Sequence, residues 1–294
     1  MITIHETPLF PETYPLDRLG KREDLLFFDI ETTGFSGEYS NLYLVGCVYY
    51  EGGRWNLVQW FADTVSAEKE VLITFFEFLK RFPIVVHFNG DGFDIPYLLK
   101  RCRAYDLPYD FSGVTSLDIY KKIRPYRNLL GLESMKQKAI EQFLGVERED
   151  IYSGGQLIEV YKDYLFSHEQ VLLDMLLLHN ADDLRGMPGI LPILNYPDYL
   201  EHGFTLVDQE LLTRNDLFGR EYHALNLIYQ SDYTVPVPFS RSSSVSDLEA
   251  KGGQLTASVD LYEGELKYFY PDYKNYYYLI YEDRDRKSTR LNSS

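Results

Sequence analysis

Residues 27–34 read FFDIETTG, a run in which two carboxylates interrupt an apolar stretch that begins at Leu25. LLFFDI has the composition of a strand buried at the centre of a sheet. Side chains two apart on a strand share a face, so Asp29 and Glu31 project side by side while Phe28 and Ile30 point the other way. Two anions so placed repel, and burying each one unpaired would cost several kcal/mol. A divalent cation is the leading way to neutralise them, and a solvated strand end is the plainer one. Thr33 and Gly34 then let the backbone approach a ligand closely.

Working outward, LYLVGCVYY (42–50) and RWNLVQWF (54–61) read as strands joined by Glu51-Gly52-Gly53 in a hairpin. The spacing predicts a helix over 67–81, capped by Ser66 and followed by Pro83. IVVHFN (84–89) is a further buried strand, and a GDG turn leads from it into the helix DIPYLLKRCRAY. A short strand near 114–119 and helices at 132–144, 155–165 and 168–187 complete a first region. Three antiparallel strands followed by strand–helix alternation describe an α/β fold, a mixed sheet with helices on both faces. Beyond Pro188 short helices are expected at 208–217 and 219–230, a linker at 239–247, and a β-hairpin in QLTASVDLYEGELKYFY about Glu263-Gly264. The expected organisation is an N-terminal extension (1–23), a main domain (24–200) and a small α+β, aromatic-rich region (201–284). The last ten residues, DRKSTRLNSS (285–294), resemble the translation of a sequencing adapter, so the natural chain is expected to continue past Arg284 and the C-terminal region to be truncated.

The 294-residue chain carries a formal charge of −16. Without residues 285–294 it has 26 Lys and Arg against 44 Asp and Glu, or −18, which excludes gripping long duplexes by bulk charge. A nucleic-acid partner must be met through a local basic strip or through metal. No window is apolar enough to span a bilayer, no secretory start is visible, and Cys47 and Cys102 both sit in core-like segments. Those features point to the cytoplasm and away from a disulfide scaffold or zinc cluster.

Two further segments carry carboxylates in suggestive settings. In HFNGDGFDIPYLL, Asp94 opens a helix after Asn89 and Phe93, where a helix cap is the ordinary reading, and Asp91 reads as a turn residue. In LLLHNADDLRGM, His179 and Asp183 are four apart on one helical face. His179 reads equally as a core histidine or as a base near neutral pH, and Asp182 is not excluded by periodicity.

Taken in order, Asp-x-Glu on a first strand, Asn-x-x-x-Phe-Asp at a strand–helix junction and His-x-x-x-Asp on a late helix resemble the DEDD superfamily of 3′–5′ exonucleases, which have an RNase H-like fold. DIETTG resembles the first motif of the proofreading-subunit branch, and FNGDGFDIPYLL the second motif of replicative-polymerase proofreading domains. The third motif has the spacing of the tyrosine branch with His179 at the aromatic position. SLDIYKKIRP, LLGLESMKQKAIEQFLG and HNADDL resemble the YprB-type family of RNase H-like exonucleases over roughly residues 24–195.

The resemblance implies metal ligation by Asp29, Glu31, Asp94 and Asp183, two Mg²⁺ or Mn²⁺ ions, and His179 as the group that orients water or takes its proton. It implies terminal-nucleotide contacts from Thr32, Thr33 and Gly34, and a groove shaped by Asn89 and Phe93. A basic strip follows, with Lys100, Arg101 and Arg103, then Lys121, Lys122 and Arg124 beside Tyr120 and Tyr126. Its plain reading is a solvated face, and its functional one is backbone contact to single-stranded nucleic acid. Tyrosines between 262 and 281 read as a small β core or as base-stacking rings. The implied activity is hydrolysis of single-stranded or frayed DNA or RNA from a 3′ end. The alternatives are a non-catalytic nucleic-acid-binding scaffold and an endonuclease of the same fold.

Overall fold

The computed structural model describes residues 1–10, 13–147, 154–262, 264 and 273–275. Its main sheet has six strands in the order β1-β4-β3-β2-β5-β6, with β1 (Ile2–Glu6), β2 (Leu25–Thr32), β3 (Leu42–Glu51), β4 (Arg54–Phe61), β5 (Ile84–His87) and β6 (Thr115–Asp118). β2, β3 and β4 run antiparallel in succession, and β5 and β6 lie parallel to β2. Gly52 and Gly53 turn the β3–β4 hairpin with φ of 64° and 78°, a region that favours glycine. The mixed sheet expected from the sequence is thus present. Residues 1–23, read as an extension, instead supply β1, which pairs antiparallel with β4 at the sheet edge. The hydrophobic runs of β2 and β3 masked nothing about β1, whose five residues carry too short an alternation to stand out.

The two faces of β2 enter separate cores. Leu25 and Phe27 pack with Val86 under one set of helices, whereas Leu26, Phe28 and Ile30 pack with Val85 under another. The second face is covered by α1 (Glu68–Leu79) and α2 (Asp94–Ala104), through residues such as Phe75 and Tyr97. α1 is preceded by a 3-10 turn at Val65–Ala67, and Ala67 rather than Ser66 occupies its N-cap without a side-chain hydrogen bond. The first face is covered by α5 (Gln137–Leu144), α6 (Gly154–Ser167), α7 (Gln170–Ile190) and α8 (Asn195–Glu201), after the short α3 (Ile119–Ile123) and α4 (Arg127–Leu130). The helix expected from 132 begins at 137, because α4 ends at Gly131 and Lys136 is still extended.

α7 crosses β3 at Gly46. A Cβ there would stand 2.1 Å from Asn180 Oδ1 and 2.4 Å from Leu184 Cδ1, so only glycine admits the helix at this distance. Gly46 is the register partner of Asp29.

The region after residue 204 corrects the helical expectation. The two helices expected at 208–217 and 219–230 are replaced by strands and the turn between them: β7 (Thr205–Asn215), β8 (Glu221–Ser242) and β9 (Ser246–Leu261) form a three-stranded antiparallel sheet. Asp216 and Gly219 close a turn, and β8 carries strand-forming Tyr, Ile, Val and Phe. The expected linker at 239–247 is a tight hairpin, closed by Ser243 and Ser246. The second arm of the hairpin expected about Glu263-Gly264, and most of the tyrosines of 262–281, lie outside the described residues, as does 285–294. The new sheet shares a core with the main domain: Val235, Phe239 and Leu255 cluster with Met187 and Tyr196, whose hydroxyl donates to Val237 O at 2.6 Å. Among the described residues no helix is long and apolar enough to cross a membrane. Cys47 and Cys102 are buried and free.

Candidate metal centre

Asp29 and Glu31 leave β2 on the face that α7 covers. From α7 come His179 and Asp183, one turn apart. His179 Nε2 stands 3.7 Å from Glu31 Oε1 and 3.6 Å from Asp183 Oδ2. One ligand atom of each of Glu31, His179 and Asp183 lies within 4.8 Å of the others, an arrangement that can hold a metal ion. Asp94 joins from the first residue of α2. It is not the cap expected of it, since Phe93 occupies that place.

The electrostatics bind these residues into one cluster. Burial, then the charges of Asp183, Asp94 and Glu31, push the Asp29 carboxyl well above the usual carboxylate range. Burial pushes Asp94 up to about 7, helped by Asp118 and Asp183, while the backbone N–H groups of Asp94 and Ile30 act the other way. The donor set is therefore acidic, enclosed and mutually repelling. Such oxygen donors fit Mg²⁺ or Mn²⁺, and Asp29, Glu31, Asp94 and Asp183 are the residues that would hold such ions, with His179 Nε2 beside them. Asp182 is separate: it is buried and faces Arg185 Nη1 at 3.3 Å.

Residues 26–195 match a family model described as the RNase H superfamily, more than half of the chain. The chain belongs to the RNase H superfamily. Its curated relatives are polymerases. The DNA polymerase of Pyrococcus glycovorans is 33% identical over 156 residues, which are 44% of this chain and 20% of that protein. DNA polymerase 1 of Aeropyrum pernix is 34% identical over 62 residues, 21% of this chain and 6% of the polymerase. The DNA polymerase of a Thermococcus species is 30% identical over 94 residues, 29% and 12% of the two chains. The chain thus spans a fifth or less of the length of these relatives. A solved family B DNA polymerase from Pyrobaculum calidifontis is 18% identical, covers 60% of this chain and 25% of its own, and has a TM-score of 0.49.

Within this RNase H-like domain the expected nucleotide contacts have specific neighbours. Thr32 Oγ1 donates to Gly34 O at 2.9 Å, and Thr33 Oγ1 accepts from Asn41 N–H at 2.9 Å. Ser40 closes the same loop onto Gly34 O at 3.0 Å. Asn89 has φ of 63°, and its N–H, like that of Asp91, donates to Asp118 at 3.0 and 3.2 Å. Asp118 also caps α3 by accepting from Lys121 N–H. Phe93 packs at 6.3 Å against the ring of Phe35, which is 93% exposed. Lys122 and Arg124 are exposed, and Lys121 pairs with Asp91 at 3.2 Å. Arg101 leaves the proposed basic strip altogether: it is buried and grips Glu68 through two bonds of 2.6 and 2.7 Å. Its place in a run of cations suggested a solvated face, but the partner lies 33 residues away.

Two groups near the metal centre escaped the sequence reading. Asn180 is fully buried, and its Nδ2 donates to Asp29 Oδ2 at 2.9 Å. Gln59 of β4 fixes that amide by donating Nε2 to Asn180 Oδ1 at 2.9 Å and to Leu177 O at 2.9 Å. The signal was slight: an amide inside an apolar helix beside a His-x-x-x-Asp pair. Asn180→Leu keeps the volume and removes the donor, so Mn²⁺ affinity is expected to fall about 10-fold to 100-fold, measured by calorimetric titration. The second group is His87, whose Nδ1 accepts from Gly90 N–H at 3.0 Å and whose Nε2 lies 2.7 Å from Ser116 Oγ. Burial pushes its imidazole down, which matches a neutral ring that braces the turn before Asp94.

Proposed function

We propose that this chain is a divalent-metal-dependent nuclease that releases nucleotides from the 3′ end of single-stranded or frayed nucleic acid. The observation that carries the reading is the convergence of Asp29, Glu31, Asp94 and Asp183, from β2, α2 and α7, into one acidic cluster in which burial and neighbouring charge raise the proton affinity of Asp29 and Asp94. A bound pair of Mg²⁺ or Mn²⁺ ions supplies neutralisation of the phosphodiester and a more acidic water. Around them, the carboxylates fix the charge of the site, and Asn180 holds one oxygen of Asp29. His179 Nε2, directed at Glu31 and Asp183, orients the attacking water or accepts its proton. The loop Thr32–Gly34 borders the site, and the exposed Phe35 ring beside Phe93 offers a stacking face to the terminal base.

The 3′ to 5′ direction and the YprB-type placement rest on the motif resemblance. So does use of DNA or RNA as substrate, with support from relatives that are DNA polymerases. The deciding assay uses 5′-labelled DNA and RNA oligomers with Mg²⁺ or Mn²⁺. A ladder shortening from the 3′ end is expected, and Asp29→Ala or Asp183→Ala should lower the rate by more than about a hundredfold. Discrete internal products would move the reading to an endonuclease. A folded protein that binds Mn²⁺ nowhere and degrades nothing would replace it with a non-catalytic scaffold, a reading that the net charge of −16 favours.

A further inference from the structure

β2 and β5 are parallel with Phe27 beside Val86. Continuing that register sets Phe88 level with Asp29, one strand away, and on the same side of the sheet, since Phe27 and Val86 share a core against which Phe88 packs. Phe88 does not end in that core. It lines an open cleft of about 440 Å³ with Asn89, Tyr120, Met135, Lys136 and Gln137.

Three features distinguish this cleft from an ordinary surface groove. Its wall is joined to the metal centre, because Gln137 Nε2 donates to the backbone carbonyl of Asp183 at 2.7 Å. Its lining includes two half-buried rings, Phe88 and Tyr120, set edge to face at 5.9 Å. Its surroundings invert the charge of the chain: residues 121–138 hold six Lys and Arg and one acidic residue, while the whole chain stands at −16. Lys122, Arg124 and Lys136 of that set are exposed, and Lys136 is on the rim itself. Rings flanked by exposed cations are the recurrent means of holding an unpaired nucleotide, the base on the ring and the phosphate on the cation.

We propose that this cleft is a base-binding subsite for an unpaired nucleotide of the substrate strand, stacked on Tyr120 with its backbone phosphate near Lys136. The inference rests on the nuclease reading. A strand whose 3′ end lies among the carboxylates has only its 5′ direction left to run, so the cleft takes a nucleotide on the 5′ side of the scissile bond.

The test uses single-stranded oligonucleotides, deoxyribose and ribose in separate arms, with 2-aminopurine at one position at a time counted from the 3′ end. They are titrated in Mn²⁺ against the Asp29→Asn protein, which keeps the strand intact. Quenching is expected to peak at one internal position and to vanish with Tyr120→Ala, whereas Tyr120→Phe retains it. Tyr120→Ala should weaken binding roughly tenfold. Lys136→Glu, at an exposed position that tolerates change, should weaken binding and lower the salt slope by about one. The subsite is overturned if the strand binds and neither Tyr120→Ala nor Lys136→Glu alters affinity or the quenching profile. A strand that does not bind at all overturns the nuclease reading with it. Equal quenching in both arms assigns the cleft to either sugar, and quenching in one arm alone assigns it to that one.

Discussion

Asp94→Asn is expected to make the metal-free protein more stable while ending metal-dependent cleavage. Asp94 is 6% exposed, and burial among acidic neighbours raises its carboxyl from 3.8 to about 7. A raised folded-state value means that the folded protein keeps a proton which the unfolded chain has released. Stability is therefore full below the unfolded value and declines as pH rises from about 4 through 7. The loss amounts to roughly 4 kcal/mol and is complete only above about pH 7. Asparagine has no proton to lose, so thermal melts in EDTA should show a gain at pH 8 and little at pH 4.5. Mn²⁺ should stabilise the parent protein increasingly from pH 5 to pH 8, because the ion meets carboxylates that the fold otherwise protonates. A variant that is less stable than the parent at pH 8 would contradict this account of the cluster.

The second large effect lies behind the site. Glu68 is fully buried and accepts from Arg101, from Asn41 Nδ2 at 2.9 Å, from Leu42 N–H at 2.8 Å and from Tyr105 at 2.8 Å. Arg101 adds a bond to Gly37 O at 3.1 Å, so this pair anchors the loop that follows DIETTG. Removing one partner leaves a buried charge without compensation. Arg101→Met or Glu68→Gln should each cost about 3–5 kcal/mol in urea denaturation. The double variant Glu68→Leu/Arg101→Met should recover much of that, since no charge then remains buried. Equal losses in the single and double variants would show that packing, and not charge, sets the cost.

The parts of this molecule legible in the sequence are those governed by near neighbours. The apolar run of β2, the Gly52-Gly53 turn and the order of the three acidic segments all act within a few residues, and they foretold a mixed sheet. The RNase H superfamily match extends over the same stretch. What could not be read depends on partners far along the chain. Asn180 meets Asp29 across 151 positions, and Arg101 meets Glu68 across 33, so neither pairing leaves a local pattern. β7 and β8 failed for a different reason. Their apolar residues carry no strict period-2 alternation, and the decision for strand comes from long pairing between neighbours. Asp94 shows the limit of a statistical preference: its position at a helix start resembled a cap, yet its carboxylate faces the backbone of Ile30 and the acidic cluster.

Gly46 gives this arrangement its tolerance. Asp29 and Glu31 ride on β2, whereas Asp183 and His179 ride on α7, and the Asn180–Asp29 hydrogen bond ties the two elements together. How closely they can approach is set by the missing methyl at one position of β3, where Asn180 and Leu184 rest directly on main chain. The spacing between the strand's carboxylates and those of the helix is thus limited by backbone thickness, a dimension that substitutions elsewhere in the core have little power to change.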